Sequence, residues 1–421
     1  MAEEHTFLTQ IQTDVDRAVQ AASSCDLLPE LDDWGLILRR IGARSPAGLP
    51  MNWRTLHEWR KDWSFIAHIE GIVWLEDKIQ QRRNLEALIV DGLYLPRIVE
   101  IRAQDVEQVC ASNVDGSEFV HQVGLDLLCG RQEPVVVKAA HGSGSNAVEQ
   151  LPPGSTATTV ASTVRRLLTA DLREALQWYL HAVPRGFVAE PCYALTVPRI
   201  GAGGGLPQEL SVICMWQQVV GAVFAWWPHS FWVDAGGRVW ELPDGECINK
   251  KAKHQCVCEK ARASWCIEPS LPSVAYLQQQ LIAVWEYISS TSTRVALFAR
   301  CEEMRIDWFV GDDRFGPRLN ELTYLGGPRW LPHSVSLALL NATYQGWELR
   351  RGKQEERMAD REKLVELAGS LGLRSVAELA NRSLWQRHRL DACGPKLGKG
   401  ENGKNKQSVP LANRFVCTDI P

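Results

Sequence analysis

Arg305, Asp307, Glu321 and Thr323 have the types and spacing that most directly suggest chemistry. They lie in Arg305-Ile306-Asp307-Trp308-Phe309-Val310, a turn over residues 311–316, and Arg318-Leu319-Asn320-Glu321-Leu322-Thr323-Tyr324. Strand side chains alternate faces, so Arg305 and Asp307 share one face, as do Glu321 and Thr323. If the two runs pair as a hairpin, an Asp and a Glu meet across the ladder with an arginine beside them. Two carboxylates that close repel unless a proton or a cation sits between them. The pattern suits a hard divalent metal, and Mg²⁺ held by one or two carboxylates usually accompanies a nucleotide phosphate. The plain alternative is a surface hairpin with solvated charges.

A second constellation lies in Val135-Val136-Val137-Lys138-Ala139-Ala140-His141-Gly142-Ser143-Gly144-Ser145-Asn146-Ala147. A strand delivers a lysine and a small-residue loop follows. Glycines let backbone N–H groups turn toward an anion, and Ser143 and Ser145 add hydroxyl donors. Lys138 supplies a point charge for phosphate. A P-loop would need a Lys-Ser/Thr pair after the second glycine, which is missing here. A dinucleotide fingerprint is formally matched by Gly142, Gly144 and Ala147, but the acidic residue expected about 20 positions later is replaced by Val164-Arg165-Arg166. A hairpin lid over phosphates is the third reading, and a simple glycine turn the fourth.

The elements around these motifs follow from periodicity and punctuation. Residues 7–90 read mainly as helix, with an apolar stripe of Ile11, Val15, Ala18 and Val19 and a later one through Leu75, Ile79 and Leu85. Strands are expected at 135–137 and 186–189 and helices at 163–182 and 273–289. A hairpin around a glycine turn is expected within 210–224. Such alternation argues sheets covered by helices. Glu76-Asp77-Lys78 taken alone reads as a solvated charge run, and Glu190 and Glu209 singly read as surface. Trp232, Trp240 and Trp226-Trp227 read as core rather than as a cleft lining. After residue 350 the chain turns charged, then basic and glycine-rich over 394–406, which reads as disordered.

Composition narrows the class. The chain has 421 residues, 45% hydrophobic and 23% charged, enough for a packed core in two to three modest domains or one multi-lobed enzyme. A net charge of −4 gives no electrostatic case for nucleic acid or an anionic membrane as partner. No run reads as a membrane span or a secretory signal, so a cytoplasmic setting with reduced thiols is expected. Cys247, His254, Cys256, Cys258 and Cys266 offer zinc-type ligands, but Cys256-x-Cys258 is not the usual paired spacing, and a metal-free loop is expected.

Taken in order, these pieces resemble the ATP-grasp superfamily, and most closely its TupA-like branch. The resemblance rests on Asp77-Lys78, on Lys138-Ala139-Ala140-His141-Gly142-Ser143-Gly144 and on Glu190 at a strand end. Glu209 on the next strand, Arg305-Ile306-Asp307-Trp308-Phe309 and Glu321-Leu322-Thr323 complete it. It covers about residues 70 to 345 and implies an α+β fold, two subdomains clasping ATP. The implied divisions are a helical region at 1–70, the first part of the ATP-grasp module at 71–134, a lid subdomain at 135–200, a C-terminal subdomain at 201–348, and a charged extension with a low-complexity tail at 349–421. The resemblance further implies that Lys78 and Lys138 contact ATP phosphates under a lid of His141, Gly142, Ser143, Gly144 and Ser145. Glu190 and the backbone after it, through Cys192, would meet adenine, and Glu209 the ribose hydroxyls. Asp307, Glu321 and Thr323 would hold Mg²⁺, with Arg305 and Lys138 catalytic. Most of the superfamily has Asn where this chain has Thr323. Asn320 cannot simply replace it, because alternation turns it away from Glu321 unless the strand is bulged. The implied activity is an ADP-forming ligation of a small-molecule carboxylate to an amine or thiol through an acyl-phosphate, with an amino acid such as glutamate as acceptor class. The rivals are a nucleotide-binding scaffold of the same fold and an NAD(P)-dependent oxidoreductase.

Overall fold

The computed structural model describes residues 2–29, 31, 70–87, 92–102, 128–142, 147–169, 182–193, 208–226, 229–241, 274–325 and 333–355. These form an α+β arrangement of two antiparallel sheets with helical cover.

The smaller sheet has strand order β1-β4-β2-β3, built from β1 (Val99–Arg102), β2 (Val135–Ala139), β3 (Val148–Leu151) and β4 (Gly186–Pro191). Its odd-numbered positions, Val135, Val137, Phe187 and Ala189, form a buried core with Val160, Val164 and Leu167 of α3 (Ala157–Thr169). The other face therefore carries Lys138, Val188 and Glu190. Val188 packs there with Ala140 and with Ile79 of α2 (Lys78–Glu86). Asp77 caps α2, its carboxylate accepting from the backbone N–H of Ile79 at 3.0 Å and Gln80 at 3.1 Å. The same carboxylate pairs with Arg102 of β1, which ties the helix start to the sheet.

The larger sheet has order β10-β9-β5-β6-β7-β8: β5 (Gln208–Met215), β6 (Gln218–Trp226), β7 (His229–Asp234), β8 (Val239–Glu241), β9 (Glu303–Val310) and β10 (Arg318–Tyr324). One face is apolar throughout. Leu210, Val212, Cys214, Ile306, Trp308 and Leu322 pack there against α4 (Val274–Ile282) and α5 (Trp285–Ala299). The opposite face is split. Toward β6–β8 it carries Ile213, Met215, Val223, Trp232 and Trp240, covered by α1 (Ala2–Ala22) and α6 (His333–Glu355). Toward β9 and β10 it carries Glu209, Ser211, Arg305, Asp307, Glu321 and Thr323, and here the functional candidates gather.

Several expectations need correction. The β5–β6 turn falls at Trp216-Gln217 rather than at a glycine, and both residues adopt positive φ, 52° and 64°. Tertiary contacts hold this unfavourable backbone. Trp216 is fully buried against Trp347 and donates from Nε1 to Ala342 O at 3.0 Å, while Gln217 Nε2 reaches Asp26 O at 2.7 Å. Gly221 lies inside β6, where the Trp232 indole leaves no room for a Cβ. The helix read over 273–289 is two helices, α4 and α5, and the second runs on to Ala299. The helix read from 163 begins at Ala157. Glu76, Asp77 and Lys78 are buried rather than solvated, as is Glu190. Trp232 and Trp240 belong to the core as expected. The cysteine-rich loop at 247–266 and the stretch from 356 onward lie outside the described residues. No helix among those described is long and apolar enough to cross a membrane.

Candidate active site

The predicted hairpin forms, and Glu321 stands opposite Asp307 while Thr323 stands opposite Arg305. That register depends on a bulge. Leu319 opposes Trp308 on the apolar face, and the next ladder pair is Glu321–Asp307, which leaves Asn320 extra. An unbulged hairpin would have set Glu321 against Ile306, on the core face. With the bulge, Asn320 lies on the same side as Glu321. Its Oδ1 accepts from Lys138 Nζ at 2.7 Å, and its Nδ2 donates to Glu209 Oε1 at 2.7 Å. Alternation counted from Glu321 had pointed Asn320 away; counted from Leu319 it turns Asn320 to the cleft, and the inserted residue is the reason Glu321 faces the cleft as well.

Asp307 is buried and fully engaged. Its Oδ2 accepts from Arg305 Nε at 3.0 Å and Nη2 at 2.7 Å, and its Oδ1 accepts from Ser211 Oγ at 2.7 Å. Burial pushes its carboxyl up; Arg305 opposes that shift, and the Glu321 charge adds to it. Burial also works against the Arg305 charge, but Asp307, Glu321 and Glu209 outweigh it and hold the guanidinium firmly protonated. Arg305 keeps 23% of its side chain open to the cleft and lies 3.5 Å from Thr323 Oγ1. Glu209 sits at the cleft mouth, where solvent reaches it while protein encloses much of its carboxylate. That enclosure first, and the Asp307 charge next, push it up to about 7, against the hydrogen bond from Asn320.

The facing wall is cationic. Lys78 Nζ donates to Gly142 O at 2.8 Å and lies 3.4 Å from Glu321 Oε1. Lys138 Nζ pairs with Glu190, bonds Asn320 and lies 4.9 Å from the centre of the Phe309 ring. Glu190 pairs with Arg82 as well. Burial opposes its charge, but Lys138 and Arg82 together hold its carboxyl below the usual range. The Glu190 side chain is thus spent on two cations, which leaves it nothing to offer the adenine edge that the resemblance implied. Burial lowers Lys138, and Glu190 restrains the shift.

The structure thus brings together Lys78, Lys138, Glu190, Glu209, Arg305, Asp307, Glu321 and Thr323. His141 is fully buried at the end of β2, and Gly142 enters through its carbonyl. Ser143, Gly144 and Ser145 lie outside the described residues. Cys192 donates its N–H to Pro134 O at 3.0 Å, and the next residue, Tyr193, stacks with Phe309 and Phe315. The loop after Lys138 joins two antiparallel strands, with Lys138 opposite Val148. A dinucleotide fingerprint needs a strand, this loop and then a helix packed on a parallel sheet. The antiparallel return removes that reading and with it the basis for an NAD(P) enzyme. Sequence reasoning set Asn320 aside by alternation, short of a bulge, and missed Arg82. The bulge has no local signature, and Arg82 was legible only through its i+4 spacing from Lys78 on one helix face.

Counting charges wall by wall, Lys78, Lys138 and Arg82 against Glu190 leave the side of the smaller sheet positive. Asp307, Glu321 and Glu209 against Arg305 leave the side of the larger sheet negative.

No family model matches the chain, and no curated protein matches it. Among solved structures it is similar to the ATP-grasp ligase PsnB complexed with precursor peptide PsnA2 and AMPPNP, at 15% identity over 64% of this chain and 59% of that one, with a TM-score of 0.26. It is also similar to a D-alanine-D-alanine ligase from Helicobacter pylori, at 13% identity over 65% of this chain and 58% of that one, with a TM-score of 0.27. The chain spans less than two thirds of the length of either neighbour.

Proposed function

We propose that the chain is an ATP-dependent ligase of the ATP-grasp type, with ATP held between the two sheets. The observation that carries this reading is the opposite charge of the two cleft walls. A triphosphate accompanied by a hard cation is the common ligand that matches both, with phosphate oxygens toward Lys78 and Lys138 and the cation toward the carboxylates. The residues fit Mg²⁺. The donors are all oxygens, Asp307 and Glu321 oppose each other at one ladder position, and the Glu321 charge helps to raise Asp307. That mutual repulsion is relieved by a cation. When bound, Mg²⁺ would neutralise charge on the transferring phosphoryl group.

The chain's own residues would do the rest. Lys78 and Lys138 orient the phosphates, Glu209 takes the ribose hydroxyls, and the backbone from Glu190 to Cys192 meets adenine. The loop from His141 to Ser145 closes over the phosphates and excludes water. A substrate carboxylate attacks the γ-phosphorus, forming an acyl-phosphate and releasing ADP. An amine, or a thiol, then attacks the acyl carbon, loses its proton and displaces phosphate. Arg305, open to the cleft, stabilises the tetrahedral oxyanion. The Lys-x-x-His-Gly-Ser-Gly run with Arg305-x-Asp307 favours the TupA-like branch and an amino acid such as glutamate as acceptor. In this reading 71–134, 135–200 and 201–348 are the parts of one nucleotide-clasping module, set in a cytoplasmic protein.

Thermal-shift titration followed by an ADP-release screen over carboxylates and amines tests the proposal. Stabilisation by Mg-ATP and substrate-dependent ADP release are expected. Binding without release in any pairing would leave a scaffold, and no response to Mg-ATP would remove the reading altogether.

A further inference from the structure

Arg82 is buried at 3% exposure behind the cleft and belongs to no motif considered above. It follows Lys78 by one helical turn, so α2 presents both cations on one side. The guanidinium is fastened at three points. Nη1 donates to Leu95 O at 3.2 Å, Nη2 pairs with Glu190, and Cζ lies 4.9 Å from the centre of the Tyr94 ring. So anchored, Arg82 cannot swing out to a ligand. Lys138 shares the same carboxylate, yet its ammonium also reaches Asn320 at the cleft.

Two cations on one carboxylate leave one unit of positive charge. The fixed, forked Arg82 is the natural permanent partner of Glu190, and the flexible ammonium of Lys138 is the one able to turn to an incoming anion. Without Arg82, Lys138 and Glu190 would form a neutral buried pair, and the wall would keep only the charge of Lys78. We propose that Arg82 is a positioning residue that occupies Glu190 and thereby keeps the Lys138 charge available to the nucleotide phosphates. The inference rests on the ligase reading above only in taking ATP as the ligand.

The test is calorimetric titration of the full chain with Mg-ATP and, separately, with adenosine, which carries no phosphate. Arg82→Met is expected to weaken Mg-ATP binding by about tenfold or more, the scale of a lost interaction with a charged group, and to leave adenosine binding unchanged. Arg82→Lys keeps the charge and is expected to stay within about threefold of the parent, because its loss is confined to the fork geometry. The double variant Arg82→Met/Glu190→Gln removes a buried pair together, a change that folds tend to tolerate, and restores the net charge of the wall. Its Mg-ATP affinity is expected to recover to within about threefold of the parent. A double variant as weak as Arg82→Met, or weaker, would overturn the proposal in favour of a purely structural Arg82. So would parallel losses of Mg-ATP and adenosine binding. Should Arg82→Met not fold, the double variant decides alone: near-parental affinity supports the proposal and a tenfold loss overturns it. A parent chain that does not bind Mg-ATP would instead refute the ligase reading.

Discussion

Asp307→Asn is the sharpest perturbation of the candidate site. The substitution keeps the shape of the side chain and its bond from Ser211 Oγ, but removes the charge that Arg305 Nε and Nη2 both address. Weakening two bonds to a charged group costs about 1–3 kcal/mol of stability, offset in part because Arg305 is partly open to water. At about 2–4 °C per kcal/mol, the melting temperature falls by a few degrees and the fold survives. The effect on turnover is larger. Removing one preorganised electrostatic group costs on the order of 10²–10³ in rate, or about 2.7–4 kcal/mol of barrier. A second signal is independent of activity. Asp307 is the charge that most raises Glu209, so the Glu209 titration should move down from about 7 toward the ordinary carboxylate range. ADP release under saturating substrates, with carboxylate NMR of Glu209, reads both effects. Parental ADP release by Asp307→Asn would refute the metal-end assignment, and an unmoved Glu209 titration would refute the charge coupling.

Asn320→Ala removes a bridge between Lys138 and Glu209 that the nucleotide has to replace, so Mg-ATP binding should tighten, by up to roughly tenfold for two hydrogen bonds to charged groups; a weakened affinity by thermal-shift titration would show that the bridge positions the two side chains instead. Glu209 has a folded pKa above its unfolded value, so it binds more protons in the folded state. Its stability contribution is complete at acid pH and is lost as pH rises through about 7. Melting temperature measured across that window should therefore fall more steeply for the parent than for Glu209→Gln, and equal slopes would count against a raised Glu209. Gly346→Ala places a Cβ within the Trp216 indole and should destabilise by about 1–3 kcal/mol, read as a lowered denaturation midpoint.

Much of the fold was legible because strand and helix periods are local. The alternation in β5 and β9 separates Leu210, Val212, Ile306 and Trp308 from Glu209, Ser211, Arg305 and Asp307 without any knowledge of partners. The two-residue turn at Trp216-Gln217 was not legible, since its positive φ angles are held by contacts with Ala342 and Asp26, far away in sequence. The bulge at Asn320 was hidden for a related reason. Nothing in Leu319-Asn320-Glu321 marks it, and it becomes necessary only when Leu319 must face the core while Glu321 faces Asp307. Glu76-Asp77-Lys78 read as a solvated run because each charge finds its counterpart elsewhere: the Tyr324 N–H for Glu76, Arg102 for Asp77, Gly142 O and Glu321 for Lys78.

Those distant partners bear on how the cleft works. Its buried charges come from segments that are individually unstable as buried ions, since a lone charge taken from water is expensive. Each wall compensates itself only in part, and the remainder is met across the cleft. Lys138 reaches Asn320, and Lys78 reaches Glu321. In the free protein these cross-cleft contacts therefore close the site and satisfy its charges at once. A ligand that enters must replace both. A neutral group at the phosphate end of the cleft cannot do so, because it would leave an ammonium on one wall and a carboxylate on the other without a counter-charge. An anion alone answers only the positive wall, and a divalent cation alone answers only the negative one. The pair together answers both walls. The selectivity of the cleft for a metal-bound polyanion over either component then follows from the way the two sheets share their charge.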